Sequence, residues 1–182
     1  MELDITKAPT LKYHLYHFYL IHEQMKDIIQ VIYEIEQSNV PDIWQVKAWV
    51  TNSQMLILKY HNYYKDWKQA KALVDPKIAE VVNDWFKRVD DTWSDLEKYR
   101  NEIISHAFGT PINNSHNKKQ SIFSLGNWVN YEIPISDIDY INLYNHIKNI
   151  TMFFKGQFPF YWYEFEHNLF PVLPVTPQKL IS

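Results

Sequence analysis

Apolar residues recur along the first part of the chain at alternating four- and three-residue steps. Leu11, Leu15, Phe18, His22, Met25, Ile29 and Ile32 form one such series, and these steps place side chains on one face of an α-helix. The series predicts a first helix over residues 10–37. Asn39 to Asp42 interrupt it, and Pro41 fits the opening turn of the next helix, where a missing amide hydrogen costs nothing. A second stripe, Val46, Trp49, Ser53, Leu56, Tyr60, Tyr63 and Trp67, predicts a helix to about residue 70. Asp75-Pro76 is a strong third start: a capping side chain, then a residue with no amide to leave unpaired. The stripe that follows is Val82, Phe86 (or Trp85), Val89, Trp93, Leu96, Arg100, Ile103 and Ala107. This helix is expected to bend near Asp90-Asp91 and to end at Gly109 and Pro111.

Residues 109–135 read as a long loop. TPINNSHNKKQ is polar, and SIFSLGNWVNYEIP has the pattern of a short hairpin around Gly126-Asn127. Loops of this length are uncommon in compact domains and are often functional. Ser136 and Asp139 have capping-box spacing, with Asp in place of the usual Glu. They open a fourth helix carrying Ile138, Ile141, Leu143, Ile147, Ile150 and Phe154, ending near Gly156. From residue 157 the chain becomes an aromatic, proline-rich tail, and its prolines forbid a regular helix beyond Pro171. The expected fold is all-α: four long helices in a bundle over about residues 10–156, a long loop before the last of them, and a tail over 157–182. Each stripe must be buried against another. No repeat divides the chain, and residues 1–182 read as a single domain.

Composition narrows the picture. Three glycines among 182 residues favour long helices over turn-rich β architecture. The absence of cysteine excludes disulfides and thiolate metal sites. The first residues, MELDITKAPT, are unlike a secretory signal, and no apolar run approaches the ~20 residues of a membrane helix. A cytoplasmic protein with no membrane partner is expected. A net charge of −3 argues against a generic nucleic-acid coat but leaves room for one local basic site.

Several residues invite a chemical reading. His14 and His17 are three apart, the spacing of a metal pair, but no third ligand is evident. His22 lies on the apolar stripe and reads as a satisfied core histidine or an interface group rather than a ligand. Tyr60, Tyr63, Tyr64 and Trp67, and later Tyr161, Trp162 and Tyr163, are of the type that stacks on bases. At helical spacing the first group reads better as core. The second group, close to Pro159, reads as covering the bundle or a partner subunit. No glycine-rich phosphate loop is present. Asp90-Asp91 and Asp137-Asp139 read as a bend and a cap.

The sharpest feature is YRNEIISHAFG. It holds Arg100, one of only two arginines in the chain, the other being Arg88. Arg100 sits on an apolar stripe, where an unpaired guanidinium is costly. It must therefore reach solvent, pair with a carboxylate, or line a cleft or interface. His106 lies six residues on, roughly 120° round and 9 Å along an ideal helix. Asn101 and Ser105 share a face beside the pair. A plain structural alternative stands: Glu102 and His106 form a helix pair, and Arg100 pairs with Glu97 or an acid on another helix, as in a helical interaction protein.

RNEIISH resembles the signature of the HEPN superfamily, an all-α group built on a four- or five-helix bundle. That signature is an arginine, a polar residue such as Asn, and a histidine after four to six intervening residues; here five intervene. The form is most similar to abortive-infection-type HEPN proteins. The motif spans seven residues, the order of helices extends the likeness over 10–156, and the tail has no counterpart in it. The resemblance implies a metal-independent endoribonuclease of a phage-defence or toxin–antitoxin type, with the motifs of two protomers meeting across a dimer cleft. It implies no cofactor. RNA, a second copy and an antitoxin protein are the implied partners. His106 would be general acid or base, and Arg100 would stabilise charge on the phosphate. Asn101 and Ser105 would orient His106 or bond the phosphate, leaving a 2′,3′-cyclic phosphate. His116, Lys118 and Lys119 would hold flanking phosphates, although a solvated polar turn is the plainer reading of that loop. The rival within the same resemblance is a module that has lost catalysis and binds RNA, a nucleotide or a protein partner.

Overall fold

The computed structural model describes residues 8–37, 43–101 and 131–167. All regular structure in them is helical. Helix α1 spans Ala8–Glu36, α2 Ile43–Ala70, α3 Pro76–Thr92 and α4 Leu96–Tyr99; α5 spans Asp137–Gln157 and α6 Pro159–Glu166. The protein is all-α, and α1, α2, α3 and α5 are the long helices. The hairpin expected around Gly126-Asn127 lies outside the described residues.

The predicted stripes meet in one core. Phe18 of α1 stacks between Tyr63 of α2 and Phe154 of α5, at ring distances of 4.6 and 5.1 Å. Trp67 closes on Phe154 at 5.8 Å and Phe86 of α3 on Tyr63 at 6.3 Å. Leu11, Leu15, Met25 and Ile32 are buried on α1, as are Leu143, Ile147 and Ile150 on α5. Such large side chains each contribute on the order of 2–3 kcal/mol by leaving water. Helix α1 is the hub, packing on α2, α5 and α6. The stripes fray at their ends: Val46 and Ile138 are exposed.

Both predicted helix starts are realised. The Asp75 carboxylate accepts from the Lys77 amide at 2.8 Å, with Pro76 in the first turn. Ser136 and Asp139 form a reciprocal capping box, in which the Ser136 amide donates to Asp139 at 3.2 Å and the Asp139 amide to Ser136 Oγ at 3.3 Å.

Two expectations change. The third helix does not bend at Asp90-Asp91 and run on; α3 ends at Thr92, and α4 begins after Trp93-Ser94-Asp95. The Thr92 hydroxyl bonds back to the Arg88 carbonyl at 2.7 Å, a competitor to the helical ladder. The break is then held from outside. Asp95 exchanges bonds with Glu132, amide to carbonyl at 3.2 Å and carboxylate from amide at 3.0 Å, and Ser94 donates to the Glu132 carboxylate at 2.6 Å. The aromatic tail also begins as structure. Pro159 sits in the opening turn of α6, where proline is tolerated. Trp162 and Phe165 are buried, facing Tyr16 and Tyr19 of α1. Helical packing therefore continues to Glu166, past the expected end of the bundle at 156. Among the described residues no helix is long and apolar enough to cross a membrane.

Candidate functional site

Arg100 is placed by its neighbours on α4. Leu96 and Tyr99 are buried. The Tyr99 hydroxyl accepts from Gln54 of α2 at 3.5 Å, and its ring stands edge-on to Tyr131 at 5.3 Å. With Tyr99 anchored inward, the next residue leaves the core side. The backbone widens into a π-helical turn at Arg100 and Asn101, a geometry that often marks functional sites. One guanidinium nitrogen, Nη1, donates to Asn101 Oδ1 at 2.8 Å. Its Nε is buried and has no hydrogen-bond partner. Among the described residues no carboxylate forms an ion pair with Arg100, Glu97 included.

The charge of Arg100 reaches α2 at His61, which the sequence reading had not singled out. Burial holds the His61 imidazole below the ordinary histidine range; Arg100 lowers it further, Glu97 opposes, and Lys68 and Lys65 add to the lowering. His61 lines a recess of about 90 Å³ between α2 and the α3–α4 corner, with Tyr60, Tyr64, Asp90, Leu96 and Glu97 among its walls. Tyr60 is 3% exposed, and its hydroxyl has no partner. Burial pushes that phenol well up, and the charge of Asp90 adds to this. Asp90 is itself raised, first by burial and then by Glu97 and Asp91, against the lowering effect of Lys68. Lys68 lies 4.2 Å over the Tyr64 ring. A buried hydroxyl or N–H without a partner costs about 1–3 kcal/mol. Two such groups, Tyr60 Oη and Arg100 Nε, therefore mark this corner.

Of the residues that the RNEIISH resemblance and the following loop assign to a site, only Arg100 and Asn101 are among those described. Asn101 is exposed and serves as the partner of the guanidinium. His106, Ser105, His116, Lys118 and Lys119 lie outside the described residues. Two ionisable residues of the recess that the sequence assigns to no site, His61 and Asp90, sit on other helices. His61 directly follows the stripe residue Tyr60, and no spacing along the chain ties it to Arg100.

Three histidines of α1 are engaged. His14 and His17 share Asp66 of α2, with Nδ1 atoms 2.8 and 3.6 Å from its two oxygens. The third group absent from the local sequence thus comes from another helix; it hydrogen-bonds His14 at 2.8 Å, while its other oxygen, 3.6 Å from His17, makes no hydrogen bond. No group of three or more His, Asp or Glu suited to a metal ion occurs among the described residues. His22 is buried; its Nδ1 lies 3.0 Å from Glu23 and its Nε2 3.3 Å from the Tyr144 hydroxyl, the satisfied core histidine the stripe predicted. Tyr60, Tyr63 and Trp67 are core.

No family model, no curated protein and no solved structure matches this chain.

Proposed function

We propose that this protein is a HEPN-like, metal-independent endoribonuclease of a phage-defence or toxin–antitoxin type, acting in the cytoplasm as a homodimer. The observation that supports it best is the state of Arg100. A half-buried guanidinium held by a neutral amide, with a buried Nε unpartnered and no carboxylate paired to it among the described residues, is kept available for an anion. A helical scaffold protein would place an acid there, because an unneutralised half-buried charge lowers stability.

The chemistry follows from the groups. RNA carries its own nucleophile, the 2′-hydroxyl. Arg100 binds the scissile phosphate through its planar fork and stabilises charge growing on the oxygens. Asn101 fixes the fork's orientation. His106 transfers the proton, since histidine's unperturbed side chain titrates near neutrality, and Ser105 supports it. His116, Lys118 and Lys119 hold neighbouring phosphates. An antitoxin protein covers the cleft until release.

The test is cleavage of a mixed-sequence RNA by purified protein in excess chelator, with analysis of the product ends. The expected result is a 2′,3′-cyclic phosphate, with loss of cutting by about 100-fold or more in Arg100→Ala and His106→Ala. Undiminished cutting by His106→Ala overturns the mechanism. Tight RNA binding without any cutting selects the alternative, a HEPN-like module that binds and does not cleave.

A further inference from the structure

We propose that the recess between α2 and the α3–α4 corner is the nucleophile's side of the Arg100 site, and that His61 is the base that takes the proton from an RNA 2′-hydroxyl. This rests on the RNA-cleaving reading above.

The first ground is that His61 is uncommitted. His14 and His22 are tied to acids or to a tyrosine, whereas His61 makes no hydrogen bond among the described residues. The second is the Tyr60 hydroxyl. It belongs to a residue that lines the same recess and is almost wholly buried, yet nothing in the protein bonds it. Buried polar atoms are nearly always partnered, so this one points to a ligand oxygen. The third is size. At about 90 Å³, the recess has the room of roughly three liquid waters at ~30 Å³ each. That admits the hydroxyl edge of a ribose and leaves the base and phosphate at the mouth, within the field of Arg100.

Charge agrees with the geometry. The groups that bear on His61 are Lys65 and Lys68 of its own helix, Glu97 of α4 and Arg100 just beyond it; Asp90 and Tyr64 share the recess wall. The balance, led by burial, keeps the imidazole neutral at pH 7, the form able to accept a proton. Transesterification removes one proton from O2′, forms the O2′–P bond, breaks the P–O5′ bond and delivers one proton to O5′. A single histidine must do both transfers in turn. With two, His61 takes the first proton and His106 gives the second, and both are restored by exchange with water. Asp90 and Glu97 keep a second phosphate out of the recess, so that only the uncharged ribose edge enters.

The experiment uses the full chain. Cleavage of mixed RNA in chelator is followed from pH 5 to 8 for wild type, His61→Gln and His61→Asn, with thermal melts as a folding control. The expected result is a loss of about 100-fold or more in both variants and disappearance of the acidic limb of the rate profile, at melting temperatures near that of wild type. Separately, the His61 ring is titrated by NMR. Its pKa is expected below 6.5 in wild type and to move up in Arg100→Gln. An RNA oligonucleotide, which keeps the 2′-hydroxyl, is expected to shift the ring signal in the His106→Ala variant, which binds without cutting. If wild type cuts and both His61 variants cut with an unchanged pH profile, the role of His61 is overturned and the nuclease reading stands. If wild type cuts nothing, both fall. If the variants fail to fold, a His61 signal that ignores the oligonucleotide overturns the proposal by itself.

Discussion

The α1–α2–α5 interior and the α2–α4 recess are both walled by tyrosines of α2, and the two tyrosine hydroxyls fare differently. In the interior, the Tyr63 hydroxyl meets Thr151 Oγ1 at 3.0 Å, and Trp67 Nε1 donates to Asn83 Oδ1 at 2.9 Å. At the edge of the interior, Trp49 donates to Asp137 at 2.6 Å. At the recess, one turn back along α2, the Tyr60 hydroxyl meets nothing, and Arg100 Nε is in the same state. The two tyrosines are almost equally buried, so burial does not explain the difference. A sequence selected only for stability matches buried polar groups everywhere. Ser53 Oγ and Asp66 Oδ2 are also without a hydrogen bond, but Tyr60 belongs to the wall of a recess, and an unmatched group beside open space is a mark of a place shaped for another task.

The comparison breaks most severely by removing the interior. Phe154 stacks on Phe18 and lies against Trp67 and Phe158, and it is wholly buried. Phe154→Ala is expected to lose about 3–5 kcal/mol, the range for an aromatic truncated in a packed core. Urea unfolding read at the midpoint checks this; a loss under 1 kcal/mol contradicts the packing described.

A smaller cut tests the matched pair. Tyr63→Phe keeps the ring and leaves Thr151 Oγ1 buried with its partner gone. A loss of about 1–2 kcal/mol is expected. The further change Thr151→Val is expected to add less than it does alone, because the two hydroxyls share one bond. Fully additive losses would show that they do not interact.

Acid acts on both regions. His22 and His146 are held below the ordinary histidine range chiefly by burial, with Arg88 assisting at His146, and His61 is lowered as described. For each, the unfolded chain binds the proton more readily than the folded one. Stability is therefore expected to fall as pH drops through about 6.5, the unfolded histidine value. The fall ends once pH is below the folded values. Asp90 works the other way: its raised carboxyl favours the folded state once it takes its proton. The net expectation is a melting temperature lower at pH 5.5 than at 7.5, by about 2–4 °C for each kcal/mol lost. His22→Gln and His61→Gln should each flatten the profile. A profile that rises toward acid contradicts the assignment.

Much of this was legible along the chain, for a physical reason. Helical periodicity is a local property, so Leu11 to Ile32 and Tyr60 to Trp67 disclose their buried faces without knowledge of a partner. Caps are equally local, and Asp75-Pro76 and Ser136/Asp139 function as written. The break at Trp93 was hidden because Asp95 and Ser94 are held by Glu132, whose position in sequence gives no hint of it. Helix α6 was hidden because proline reads first as a breaker, although at an opening turn it is a start. At the site, Arg100 stood out as a charge on an apolar stripe. His61 did not, since only folding brings α2 beside α4. The Asp66 bridge between His14 and His17 was hidden for the same reason.

The smallest effect discriminates best between the two regions. Tyr60→Phe removes a hydroxyl that, unlike that of Tyr63, has no bond to lose. The variant also relieves the cost of burying an unpaired polar group, which mutational data put at about 1–3 kcal/mol. Water entering the recess offsets part of that cost in the wild-type protein, because Glu97 in its wall is exposed and His61 only half-buried. The expected outcome is therefore a stability change between zero and a gain of about 1 kcal/mol, set against the loss in Tyr63→Phe on the same helix. Parallel urea titrations of the two variants check it, with equal slopes required so that the midpoints compare like with like. If Tyr60→Phe costs as much as Tyr63→Phe, the Tyr60 hydroxyl has a partner within the protein. The recess is then ordinary core, and the ribose loses its place beside His61. If Tyr60→Phe is neutral or stabilising while RNA cleavage falls, the unmatched hydroxyl serves the substrate at the expense of the fold.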